Sequence, residues 1–303
     1  MADLVGLVAM SHGPQLMIKP DQWCVMEQKD KERYGNSLPV KPELMAETPE
    51  VKWAKWNRCM EAIACLRKKL LEWSPEALLI VADDQHENLL DDNMPPFLIY
   101  IGEEAEASVS LRYFNEPKSA NRTKYKIHRP LAEHIVEGLM EVGFDPAYSR
   151  VLRYEGGLGH AFARPLKFLM KDFSCPIVPV MVNTYHPPAP SASRCVQFGV
   201  ALAEVIRRMQ GLKRVAVLGS GGLSHTIIDE NLDRNVLRAL KENDTKFLGS
   251  LPSSVLVGGT SEIRNWIVTA AAADRAARLV DYVPCYRTST GTGCAMGFAY
   301  WEQ

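Results

Sequence analysis

An α/β fold, with a central and mainly parallel (mixed) sheet covered by helices on both faces, is predicted by two features of this 303-residue sequence. Short unbroken apolar runs recur along the chain, and stretches of helical period lie between them. Strands buried on both faces read as continuous apolar runs, and the helix that follows each covers a face of the sheet. No internal repeat, low-complexity tract or Gly/Ser linker divides the chain. A single domain over 1–303, an αβα sandwich, is therefore expected.

The elements follow in order. Residues 4–10 are an apolar run ending in a polar loop, which reads as a buried strand. Residues 13–50, rich in Pro, Lys and Glu, read as a surface excursion. Met60, Ile63, Ala64, Leu70 and Leu71 share one helical face, which predicts a helix over 52–73. Strands are expected at 77–82 and 97–101, and an edge hairpin near 108–113. Helices at 129–142 and 162–171 precede a strand at 177–182. Beyond the Pro-rich turn at 187–190, Val196, Gly199, Val200, Ala203 and Ile206 form the stripe of a long helix. A strand at 214–218, helices at 231–243 and 261–277, and a last strand at 294–300 closing the sheet complete the expectation.

Composition narrows the function. The 35 basic and 36 acidic residues leave a net charge of −1, which gives no field to draw in nucleic acid or an anionic membrane. The 47% hydrophobic content is that of a globular protein, and no apolar run is long enough to span a bilayer. Met1-Ala2-Asp3 puts an acid where a secretory signal carries positive charge, so a cytoplasmic location is expected. Seven cysteines, with no Cys-x-x-Cys pair, form neither a disulfide framework nor a zinc motif; Cys59 and Cys65 read as core thiols of a helix.

Three of the seven histidines stand at the ends of expected strands: His12 in Ser11-His12-Gly13-Pro14, His86 in Asp84-Gln85-His86-Glu87, and His225 in Gly221-Gly222-Leu223-Ser224-His225. In a parallel sheet such ends lie along one edge, where ligands bind. His160 follows a Gly-rich turn before an expected helix. His128, His134 and His186 read as structural or loop residues. Glu262 stands at the start of a helix, where pattern alone favours a macrodipole role. The glycine loop at 219–222 lacks the spacing of a dinucleotide loop, and no Gly-x-Ser-x-Gly elbow is present.

Taken together, Ser11-His12-Gly13-Pro14, Asp84-Gln85-His86-Glu87, Gly159-His160, the Gly-Gly-Leu-Ser-His segment and Ser261-Glu262-Ile263-Arg264-Asn265-Trp266 resemble the LigB-like class III extradiol ring-cleavage dioxygenases. With Trp23, the opening motif looks closest to the methylgallate- and protocatechuate-type members. The resemblance implies Fe(II) held by two histidines and one carboxylate, carried over to His12, His86 and Glu262. It implies His225 as the acid–base group and His160 as the substrate contact and proton donor, with Ser289 and Thr290 as further substrate contacts. The implied partners are O2 and a small catechol-type diol of the protocatechuate, gallate or methylgallate kind, in a homo-oligomer with room for a small lid subunit. Arg112, Arg122, Lys124, Lys126 and Arg129 supply candidates for a substrate carboxylate. Gly159 replaces the family's usual aspartate, so the His160 pKa is expected to be lower than in members that keep the acid, unless another acid fills the gap, and Gly159→Asp to extend activity to higher pH. A zinc hydrolase on the same residues and a Memo-like binding protein are the alternatives.

Overall fold

The computed structural model describes residues 1–34, 37–44 and 47–302. The first half runs β1 (Asp3–Met10), α1 (Cys24–Tyr34), α2 (Pro49–Trp73), β2 (Ala77–Asp83), β3 (Phe97–Tyr100), β4 (Glu104–Ser108), β5 (Arg122–Lys126) and α3 (Arg129–Glu141). Next come β6 (Ala147–Ser149), α4 (His160–Leu169), β7 (Ile177–Val182), α5 (Ala192–Arg208), β8 (Arg214–Ser220) and β9 (His225–Ile227). The last third holds α6 (Glu230–Glu242), α7 (Thr245–Ser250), α8 (Ile263–Ala273), β10 (Arg278–Tyr286) and β11 (Thr292–Glu302).

One sheet runs in the order β10-β11-β1-β8-β2-β7-β3-β6, with β9 attached to β11. Its centre, β1-β8-β2-β7, is parallel, and antiparallel pairings of β11 and β3 flank it. Side chains alternate between two cores, as strand geometry requires. Leu7 and Ala9 of β1 pack with α3, α5 and α8 on one face, whereas Val8 and Met10 pack with α2 and α4 on the other. The expected α/β architecture, helices on both faces of a mixed sheet, is the one observed.

Three elements differ from expectation. The 294–300 run does not close an edge: β11 lies inside the sheet, antiparallel to both β1 and β10. The edge strand is β10, which sequence patterning misses because Arg278, Asp281 and Pro284 interrupt its apolar residues, as edge strands tolerate. The hairpin expected at 108–113 is a wider pair, β4 with β5, separate from the main sheet. Within the 13–50 excursion, α1 forms and buries Met26, with Trp23 buried just before it; residues 35–36 and 45–46 of that stretch lie outside the described residues.

Parallel register brings the chemistry together. Met10 of β1 and Ala82 of β2 both pair with Ser220 of β8, so the three strands end in one row. The loops that follow carry His12, the turn at residues 84–88 and the glycine loop. No helix among the described residues is long and apolar enough to cross a membrane.

Candidate active site

The glycine loop after β8 has to let two side chains approach closely. A Cβ on Gly222 or Gly259 would collide with the His225 ring, and one on Gly221 would press on Glu262. The loop is tied down by Trp266 Nε1 donating to Gly221 O (2.7 Å) and by backbone bonds of Leu223 and Ser224 to Ala295. Glu262 precedes α8 but caps nothing there. Its carboxylate instead accepts from Gly222 N (2.6 Å to Oε2), Gln85 Nε2 (2.9 Å to Oε1) and His225 Nε2 (3.1 Å to Oε1). The macrodipole role favoured by patterning is therefore not what this side chain does. Burial alone would raise its pKa, but His225 and the Gly222 N–H hold it well below the usual carboxylate range.

Hydrogen bonding fixes the state of both neighbouring imidazoles. Ser220 Oγ spends its proton on Ala161 O (2.6 Å), so it accepts from His12 Nδ1 (2.9 Å). His12 Nε2 is then a bare lone pair, and burial keeps it so by lowering the pKa to about 3. That lone pair faces Glu262 Oε2 at 3.4 Å with no hydrogen to share. Two acceptors converging in a buried site are the donor chemistry of a divalent cation, so His12 and Glu262 fit a metal. His225 differs. Its Nδ1 donates to Leu223 O (3.0 Å) and its Nε2 lies on Glu262. Burial lowers its pKa, but Glu262 and the Leu223 carbonyl outweigh that and raise it above the ordinary histidine value.

His86 is not brought to this cluster, contrary to the expectation from the sequence. The buried Asp84 carboxylate accepts the N–H groups of Glu87, Asn88 and Leu89, winding the turn tightly. The turn puts His86 at φ 57°, in the left-handed region, with its side chain directed outward. Its ring is exposed, stacks on His186 (centroids 3.5 Å apart) and lies 3.1 Å from Asp91. Gln85 points inward instead, bridging Asp83 Oδ2 (3.1 Å) and Glu262 Oε1 through Nε2. Patterning carried no signal for this, because the alternation of β2 ends at Asp83, where the turn wound on Asp84 begins.

His160 does have an acid beside it. Glu87, almost fully buried, accepts from His160 Nδ1 (3.0 Å to Oε1) and from the His160 backbone N–H (3.1 Å). Burial pushes the Glu87 carboxyl up, but His160 and Arg112 overcome it and bring it down to about 2. A Cβ at Gly159 would run into Glu87 Oε2. The carboxylate missing at 159 is thus supplied from the β2 turn, so another acid does fill the gap left by Gly159.

His12, Gln85, His160, His225 and Glu262 line a cavity of about 320 Å³. Its lining is rich in cations, with Lys29, Arg33, Arg112, Arg164 and Arg287 beside the acid Asp30, which pairs with Arg287 at 3.5 Å; Lys29 and Arg33 come from the unforeseen α1. Arg112 alone of the five basic candidates lines the cavity, and it pairs with Glu87 at 3.1 Å. Arg122, Lys124 and Arg129 instead pair with Glu106, Glu104 and Glu103 on the β4–β5 side. Ser289 and Thr290 also lie outside the cavity lining: Ser289 O accepts from Lys41 N, and Thr290 bonds Thr288. His134 bonds Val205 O and His128 caps α3, both structural as expected.

Among known proteins, the chain is similar over 164 residues (32% identity) to a 2,3-dihydroxyphenylpropionate/2,3-dihydroxicinnamic acid 1,2-dioxygenase of Klebsiella pneumoniae. It is 33% identical over 166 residues to a like-named enzyme of Pseudomonas putida. Each alignment takes in 54% of this chain and 48% of the relative, so the chain spans about half the length of the curated relatives it matches. The crystal structure of an uncharacterized protein from Escherichia coli K12 aligns over 98% of the chain, and 99% of its own, with a TM-score of 0.47 and 13% identity. The model of the catalytic LigB subunit of aromatic ring-opening dioxygenases matches residues 39–296, most of the chain. With a parallel-sheet edge that gathers His12, His160, His225 and Glu262 into one cavity, this chain belongs to the LigB family.

Proposed function

We propose that this protein opens the ring of a vicinal aromatic diol with O2, using a ferrous ion held at His12 and Glu262. The whole 1–303 chain acts as one catalytic domain. The observation that carries this reading is the meeting of His12 Nε2 and Glu262 Oε2 at 3.4 Å, with His225 on the same carboxylate. When bound there, such an ion supplies Lewis-acid acidification of the diol and redox exchange with O2.

The protein's own groups do the rest. With that carboxylate engaged elsewhere, His225 releases to solvent the Nε2 proton it donates to Glu262, and the bared nitrogen then takes the second hydroxyl proton. His160, anchored through Nδ1 to Glu87, turns its other nitrogen to the substrate oxygen and can return a proton there. Arg112, Arg287 and Lys29 favour a diol that carries a carboxylate, a class that includes protocatechuate, gallate and methylgallate.

The test is anaerobic loading with Fe(II) or Zn(II), followed by oxygen-electrode assays on vicinal diols with and without a carboxylate. Oxygen uptake with loss of ring absorbance, dependent on iron and favouring the carboxylated diols, is expected. His225→Ala should keep its iron while kcat falls roughly 10²–10⁴-fold. Iron-loaded protein that consumes no oxygen with any diol, or a hydrolytic activity restored by zinc, would end this reading.

A further inference from the structure

We infer that Asp83, rather than His86, completes the metal site, so that the ion is held by one imidazole and two carboxylates: His12, Asp83 and Glu262. The inference rests on the ring-opening reading only in placing a divalent ion beside His12.

Asp83 is the last residue of β2 and has no solvent exposure. A carboxylate oxygen of Asp83 and ring nitrogens of His12 and His160 all lie within 4.8 Å of one another, close enough to share an ion. Glu262 Oε2 stands 3.4 Å from His12 Nε2, beside that group of three rather than within it. Asn265 Nδ2 donates to Asp83 Oδ1 (3.1 Å) and to Ser220 O (2.7 Å), which fixes the carboxylate and leaves Oδ2 toward Gln85. A neutral amide, Gln85 Nε2, is the direct link between the two carboxylates. Two buried carboxylates beside a bare imidazole nitrogen form an electron-rich pocket that a divalent cation neutralises. His160, anchored on Glu87 through Nδ1, is assigned to substrate, and the count of coupled imidazole nitrogens tests that assignment.

His86 cannot take the third position without undoing the turn. The three N–H bonds to Asp84 would have to break, and the left-handed residue would have to leave its stack on His186. An oxygen-rich set also changes what binds. Carboxylates suit harder ions such as Mn(II), whereas a two-imidazole set shifts preference toward later metals.

Mn(II), whose free ion is counted directly by EPR, is the probe. The wild-type chain should bind one equivalent, with pulsed EPR showing coupling to a single imidazole nitrogen. Asp83→Asn should weaken binding roughly 10²-fold or more. His86→Ala, a change at an exposed side chain, should leave affinity within about twofold, the bound for a residue that touches no ligand. Thermal melts establish that each variant is folded. If Asp83→Asn does not fold, the wild-type nitrogen count and His86→Ala still decide. Two coupled imidazoles, a large loss on His86→Ala, or unaltered binding by folded Asp83→Asn overturns the inference and leaves the ring-opening reading standing. A wild-type chain that binds neither Mn(II) nor Fe(II) removes both.

Discussion

Glu87 and Gly159 occupy one space between them: the carboxylate of the first lies where a side chain on the second would begin. A single exchange at either position should therefore harm the enzyme, and the two together should harm it less. Gly159→Asp brings a second acid against Glu87, forcing the His160 ring off its anchor, while Glu87→Ala removes that anchor. Each should lower kcat about 10–100-fold, the scale on which losing an orienting partner acts. In the double variant the new aspartate takes over the vacated place, and recovery of at least about tenfold over either single change is expected. Steady-state oxygen uptake by the four proteins measures it; strictly additive losses would show that the two residues do not share a role. This reverses the expectation that Gly159→Asp alone extends activity to higher pH.

At the scale of elements, α8 joins the loops that bound the site. All eleven of its residues are buried, polar Arg264, Asn265 and Thr269 among them, so it is enclosed all round rather than amphipathic. Its one cation, Arg264, donates to Pro190 O (2.7 Å), Thr184 O (3.2 Å) and Leu256 O (3.0 Å), linking the segment after β7 to the segment before α8. Arg264→Met keeps the volume but strands those carbonyls. A loss of about 3 kcal/mol is expected, read from urea midpoints at unchanged m-value. A midpoint equal to wild type would mean that water replaces the guanidinium without cost. How much of this was legible in the sequence follows from the same physics. The central strands were, because burial on both faces leaves an unbroken apolar run. So was the meeting of His12 and His225, because strand ends of one parallel sheet share an edge, whereas His160 and Glu262 stand before helices and joined them only through the family resemblance. The edge strand β10 and helix α1 were not, being half-exposed and mixed in composition. Nor was the inward turn of Gln85, since it depends on a carboxylate at 84 winding three N–H groups around itself.

The whole molecule depends on β11. It lies between β1 and β10, and Cys294 pairs with His225 of β9, so one strand both fills the sheet and backs the glycine loop. Cutting the chain before Thr292 should leave β1 without one neighbour and β10 without its only one, and expose Trp301 and Phe298 partners in both cores. Such a chain should lack a cooperative melt and should bind no Mn(II); a folded, metal-binding truncation would show that the β1–β8–β2–β7 centre stands alone.

That placement also sets the order in which the molecule can be made. β1 is made before both of its neighbours, β8 and β11, the latter nearly three hundred residues downstream at Phe298 opposite Met10. Loop closure over such spans is slow, and it cannot begin before the far strand exists. Until β8 is made, β1 offers an apolar ribbon with both edges open, and until β11 is made one of those edges stays open. The nascent chain therefore carries no part of the catalytic cluster in working form. His12, the first of its residues to be synthesised, meets Glu262 only after the long stretch of chain between positions 12 and 262 has been made, so the cluster cannot assemble before β8 and the segment leading into α8 exist.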